Sequence, residues 1–161
     1  MYDFRPPSTH DKPALYADLL AAADALTGGE PDHVANMANV AALLADYLPA
    51  LNWAGFYRLI GAELVLGPFI GRPACIRIAL GQGVCGTAAA ERATQLVADV
   101  HAFPGHIACD AASRSELVVP VVRDDRLIAV IDLDSPELGR FDAEDARGIE
   151  ALAAMIAPRI G

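Results

Sequence analysis

Cysteine is scarce in this chain, aromatic residues are few, and basic residues are outnumbered. Among 161 residues there are three cysteines, Cys75, Cys85 and Cys109, and a single tryptophan, Trp53. An odd, small number of thiols does not make a structural disulfide framework. With no basic, apolar, small-residue leader pattern at the start, it points to a reducing, cytoplasmic compartment. No apolar run approaches the length of a membrane span. Lys and Arg total 12 against 21 Asp and Glu, a formal net charge of −9. Phosphate-backbone binding is supplied largely by Lys and Arg, so a nucleic-acid partner is not expected.

What is present suits a packed core. Hydrophobic residues make up 54% of the chain and charged residues 20%, the balance of a globular protein with one domain over residues 1–161. Residues 1–10 are polar and Pro-containing and read as a loose arm. Asp11 and Pro13 signal a helix start, Leu15, Leu19, Ala22 and Leu26 repeat at helical spacing, and Gly28-Gly29 ends the element. Glu30-Pro31-Asp32 starts a second helix, with Val34, Met37, Ala41, Leu44 and Leu48 on its core face.

From Asn52 the texture changes. NWAGFYRL and ELVLGPF predict two strands joined at Gly61, followed by a short strand around Cys75–Ile78. Gly81, Gly83 and Gly86 surround Cys85 and lead to a short helix around 87–92. TQLVADV predicts another strand. SELVVPVV and RLIAVIDLDS predict a final hairpin turning at Asp124-Asp125, and Asp142 is a natural N-cap for a last helix carrying Ile149, Leu152, Ala153 and Ile156. The expected fold class is α+β: a central antiparallel sheet of about six strands with N-terminal and C-terminal helices packed on it.

Three groups of residues carry candidate chemistry. The first is the stretch HAFPGHIACDAASRSE, from His101 to Glu116. It lacks helix or strand periodicity and is clamped between apolar runs, so it reads as an ordered loop presenting Cys109 with His106 and Asp110 nearby. His101, His106 and Cys109 could supply three metal ligands, but no CxxC or HExxH spacing supports that, and no metal is expected. The second is GQGVCGTAAAE, where a tight turn into a helix places Cys85. A thiol near a helix N-terminus can have its thiolate stabilised, whereas a buried one is a small hydrophobe. The third is the acid trio. Asp132 and Asp134 share one face of a strand, and hairpin pairing can bring Glu116 near both. Three adjacent carboxylates invite a cation, a ligand ammonium group or a protonated acid. Trp53 and Tyr57 on the first predicted strand read as core or as a pocket wall.

Taken together, NWAGFY, LVLGPFIGRPAC, GQGVCGTA, VADVHAFPGHIACDAASRSELVVP and AVIDLDS resemble, in order, the signature of the free methionine-R-sulfoxide reductases, single-domain GAF-fold enzymes. Two positions depart from the pattern: Ile70, where a polar residue is usual, and Ala129, where glycine is usual. The resemblance implies Cys109 as nucleophile, Cys75 as the cysteine that closes a disulfide with it, and Cys85 as a secondary resolving or relay thiol. It implies that Glu116, Asp132 and Asp134 hold the substrate and supply a proton, and that Trp53 and Tyr57 wall the substrate methyl group. Free methionine sulfoxide would be the substrate and thioredoxin the external reductant. No bound cofactor would be needed, and pairing into a homodimer would be open to it. The alternative is a GAF-type small-molecule sensor without turnover, which would have no use for Cys75 and Cys109 placed to meet.

Overall fold

A computed structural model describes residues 11–105 and 111–161. The N-terminal arm expected over residues 1–10 lies outside the described residues, as do His106, Cys109 and Asp110. Two helices open the described chain, α1 (Lys12–Thr27) and α2 (His33–Tyr47). Asp11 and Asp32 cap them, each accepting a hydrogen bond from a backbone N–H three residues on, which satisfies donors the helix itself leaves open. Strands β1 (Trp53–Ile60), β2 (Glu63–Gly71) and β3 (Arg77–Ala79) follow, then α3 (Gly83–Glu91) and β4 (Gln95–Val97). The hairpin β5 (Ser115–Arg123) and β6 (Arg126–Ser135) leads into α4 (Ala143–Ile160). Asp124 and Asp125 both adopt positive φ, 49° and 57°, the backbone of a tight turn whose twist matches its flanking strands. Asp142 and Asp145 close a capping box at the start of α4.

All strand pairs are antiparallel, in the order β3-β2-β1-β6-β5-β4. Alternation along the strands sorts the two faces. Phe56, Leu117, Val119, Ile131 and Leu133 pack with Leu19, Val40, Leu44, Leu152 and Ile156 from α1, α2 and α4. The opposite face carries Trp53, Tyr57, Leu64, Val118 and Val130, packed with Val84, Cys85 and Ala88 of α3. Glu116, Asp132 and Asp134 share the parity of Val118 and Val130, so they point to the α3 side.

Four local expectations shift. Cys75 is not in a strand: β3 begins at Arg77. Pro73 has no N–H for a ladder, and the Cys75 carbonyl accepts from the Tyr57 hydroxyl at 3.0 Å instead. The helix expected around 87–92 begins at Gly83, because Gly81 and Gly83 turn the chain with positive φ before Cys85 is reached. The strand expected over TQLVADV is limited to Gln95–Val97, and Val100–Ala102 forms a 3-10 turn capped by Asp99. Val34 sits in the first turn of α2 but is 52% exposed and outside the core.

Candidate active site

The site forms where the centre of the sheet meets the first turn of α3. On the hairpin, Glu116 pairs directly with Asp134, and Val118 with Asp132. Glu116 therefore faces Asp134 and lies diagonal to Asp132. β1 adds its own register: Trp53 pairs with Asp134 and Gly55 with Asp132. A side chain at Gly55 would collide with Phe69 of β2, so glycine permits the close approach on which the aromatic wall depends. Trp53 stacks on Phe69 at 5.2 Å between ring centroids and on Tyr57 at 5.9 Å, spacings typical of favourable aromatic pairs.

Cys85, Glu116 and Asp132 converge. Each is buried, and their ligand atoms all lie within 4.8 Å of one another. The Cys85 thiol donates toward Glu116 Oε1 across 3.9 Å. Asp132 Oδ1 is buried without a hydrogen-bond partner. Removing these groups from water disfavours their charged forms, and proximity of like charges adds to the effect. Burial, then Asp132 and Asp134, push Glu116 well above the ordinary carboxylate range. Burial raises Asp132 to about 6, against hydrogen bonds from Cys85 and Glu116 that pull it down. Burial and the two acids push the Cys85 thiol well above its ordinary value. The helix N-terminus thus does not yield a thiolate here; desolvation beside two acids wins. The same three groups are the donor set that could hold a soft divalent cation.

A second set of residues frames the pocket. Trp53 Nε1 donates to the Arg72 carbonyl at 3.2 Å, and Tyr57 holds the Cys75 carbonyl. The segment 72–75 is therefore pinned over the aromatic wall. Cys75 is disulfide-bonded, whereas Cys85 is free. The space among Trp53, Tyr57, Arg72, Pro73, Ala74, Asp132 and Asp134 is ≈ 10 Å³, about the room of one water. Beside the two ends of the His101–Glu116 stretch, Val100 N–H donates to Arg114 O at 2.9 Å, and Asn52 Nδ2 donates to the Ser113 hydroxyl at 3.0 Å. Phe69, the Arg72–Ala74 segment and the Asn52–Ser113 pair were not singled out from the sequence. Gly67-Pro68-Phe69 inside β2 and a short Arg-Pro-Ala run carry no chemical signature of their own; only the register places them.

The structure thus brings together six of the eight expected site residues on one face: Trp53, Tyr57, Cys85, Glu116, Asp132 and Asp134. Cys75 stands at its edge, and Cys109 lies outside the described residues.

A six-stranded antiparallel sheet carrying three long helices on one face and a pocket under a short helix on the other defines a GAF domain, and the GAF domain family model matches residues 34–160. The free methionine-R-sulfoxide reductase of Escherichia coli is 51% identical over 146 residues, covering 91% of this chain and 88% of that protein. The free methionine-R-sulfoxide reductase of Neisseria meningitidis, solved in complex with its substrate, is 44% identical with a TM-score of 0.94, covering 99% of this chain and 96% of that one. The fRMsr of Staphylococcus aureus, also a substrate complex, is 49% identical with a TM-score of 0.86, covering 91% and 95%. This chain belongs to the free methionine-R-sulfoxide reductase family, and is an oxidoreductase.

Proposed function

We propose that this chain reduces free L-methionine-(R)-S-oxide to L-methionine, with Cys109 as the nucleophile. The observation that supports this most is the buried set of Cys85, Glu116 and Asp132 beside the Trp53–Tyr57 wall. It joins an acid that keeps its proton to a carboxylate that ionises near neutrality, against an apolar surface suited to a thioether.

A sulfoxide sulfur accepts a nucleophile when its oxygen is being protonated, so the reaction needs a thiolate and an acid on opposite sides of one S–O bond. Two coupled carboxyls whose environments push them apart divide the roles. Glu116, raised the further, is the proton donor; Asp132 and Asp134 receive the substrate ammonium group. The Cys109 thiolate attacks sulfur, Glu116 protonates the oxygen, and the oxygen passes to Cys109. Methionine leaves, reduced by two electrons, and Cys109 is oxidised to a sulfenic acid. The Cys75 thiol attacks that sulfur, releasing water and forming a disulfide. Thioredoxin, or another dithiol, reduces the disulfide by exchange. Cys75 in a disulfide and Cys85 as a free buried thiol are consistent with Cys75 as the resolving cysteine. The scheme needs no bound cofactor, and its dependence on reduced thiols suits the cytoplasm.

The acid set also supplies selectivity. A free amino acid brings an ammonium group, whereas a peptide brings a neutral amide and leaves buried charge unpaired. That difference is worth several kcal/mol, on the order of a thousandfold in kcat/KM. Comparing free with N-acetylated methionine sulfoxide tests it. A large preference for the free amino acid is expected, and comparable activity on both would overturn the assignment of Asp132 and Asp134.

A further inference from the structure

On the helix-bearing side of the sheet, away from the pocket, a groove of about 610 Å³ opens between the first turn of α2, the β1–β2 turn, the start of β6 and the end of α4. Its volume is that of a small-molecule site. Met37 and Ile160 form a buried apolar floor, and Val34 and Ile60, 52% and 50% exposed, stand at its rim. These two account for much of what α2 and β1 leave apolar to solvent.

The charged side chains that line the groove have one sign. Arg58 and Arg126 line it, with His33 at the first position of α2. Arg58 is half-buried, on the same face of β1 as Phe56, and its Nε is buried without a hydrogen-bond partner. Ion pairs among the described residues engage Lys12, Arg77, Arg123, Arg140 and Arg159, but neither Arg58 nor Arg126. Among the described residues no Asp or Glu lines the groove. Asp32 caps the same helix, and its carboxylate is occupied by the Ala35 N–H. The main-chain oxygen of Gly161, at the rim, is held by Arg123. In a chain where acids outnumber bases 21 to 12, two arginines left without acids in one concavity are an uncompensated charge. A buried guanidinium N–H without an acceptor costs its desolvation until an acceptor arrives.

We propose that this groove is a second ligand site, which takes a small amphipathic anion. Its carboxylate, sulfonate or phosphate group lies against Arg58 and Arg126, and its apolar body against Val34, Met37 and Ile60. The site is on the opposite side of the sheet from Glu116 and Asp132 and does not depend on the reductase reading.

The test is fluorescence titration of the full chain with 8-anilinonaphthalene-1-sulfonate, which joins a sulfonate to an apolar body, at low salt. The expected result is saturable binding of one equivalent, undisturbed by saturating methionine sulfoxide. It should weaken by about tenfold or more in Arg58→Gln and in Arg126→Gln, the scale of one charged hydrogen bond. Arg126 is exposed, so Arg126→Gln retains the fold and decides the matter if Arg58→Gln does not fold. Absence of saturable binding, binding insensitive to Arg126→Gln, or displacement by methionine sulfoxide would each overturn the proposal.

Discussion

The Cys85 thiol donates toward Glu116 Oε1 across 3.9 Å, inside the buried acid cluster. A thiol in that position keeps its own proton and is not poised to attack. Burial and the two adjacent acids hold it well above its ordinary pKa, and nucleophilicity belongs to the thiolate. Cys85 is therefore expected to resist alkylation in the folded, reduced protein while Cys75 reacts. Cys85→Ala should retain turnover to within about tenfold. Iodoacetamide labelling followed by peptide mass spectrometry checks the first point, and steady-state kinetics the second. Fast alkylation of Cys85 would restore it as a relay thiol.

The acid pair predicts a division between kcat and KM. Glu116→Gln keeps shape and removes the proposed proton donor, so kcat should fall by about 10²–10⁴. Asp132→Asn removes a carboxylate proposed to meet the ammonium group, so KM should rise more than kcat falls. In the wild type kcat/KM should rise through pH about 6 as Asp132 ionises, and fall at higher pH as Glu116 loses its proton. Initial rates of both variants across pH separate the roles; identical effects of the two substitutions would contradict them.

Stability should follow the same two groups in the opposite sense. A carboxyl raised from 3.8 to about 6 in the folded protein is one whose folded form binds the proton more tightly. The unfolded chain ionises first, so stability falls as pH rises from about 4 through about 6, by an amount on the order of 2–3 kcal/mol for Asp132. Glu116 extends the decline above that range. Urea denaturation between pH 4 and pH 8 should show the slope, and Asp132→Asn should flatten it.

Tyr57 has a role that single turnover does not expose. Its hydroxyl holds the Cys75 carbonyl at 3.0 Å, fixing the segment that carries the proposed resolving cysteine. Tyr57→Phe keeps the aromatic wall and loses the bond, a change of about 1 kcal/mol. The expected outcome is a several-fold slower formation of the disulfide, followed by rapid quench, with one-turnover methionine release little changed.

Much of the architecture was legible because it rests on short-range signals. Asp11, Asp32 and Asp142 mark helix starts through their own side-chain chemistry, and the Asp124-Asp125 turn fixes the last hairpin. Alternation within AVIDLDS put Asp132 and Asp134 on one face, and hairpin pairing put Glu116 beside them. Cys75 and Ile76, the start of the expected third strand, fall outside it because their carbonyls accept from Tyr57 and Leu66, long-range partners that a three-residue window does not contain. Phe69 carries no local signal because its role depends on the absence of a side chain at Gly55, fourteen positions earlier in the chain and adjacent in register. The charge state of Cys85 could not be read from GVCG, since burial and two acids from another hairpin outweigh the helix terminus.

Cys109 is the proposed nucleophile in the reduction of free methionine sulfoxide. The most direct measurement is consumption of the R and S epimers separately, with dithiothreitol as reductant, by the wild type and by Cys109→Ser. The account predicts that the wild type consumes R alone and that Cys109→Ser consumes neither. Folded, reduced wild type that consumes neither epimer, or Cys109→Ser that retains activity, would contradict it.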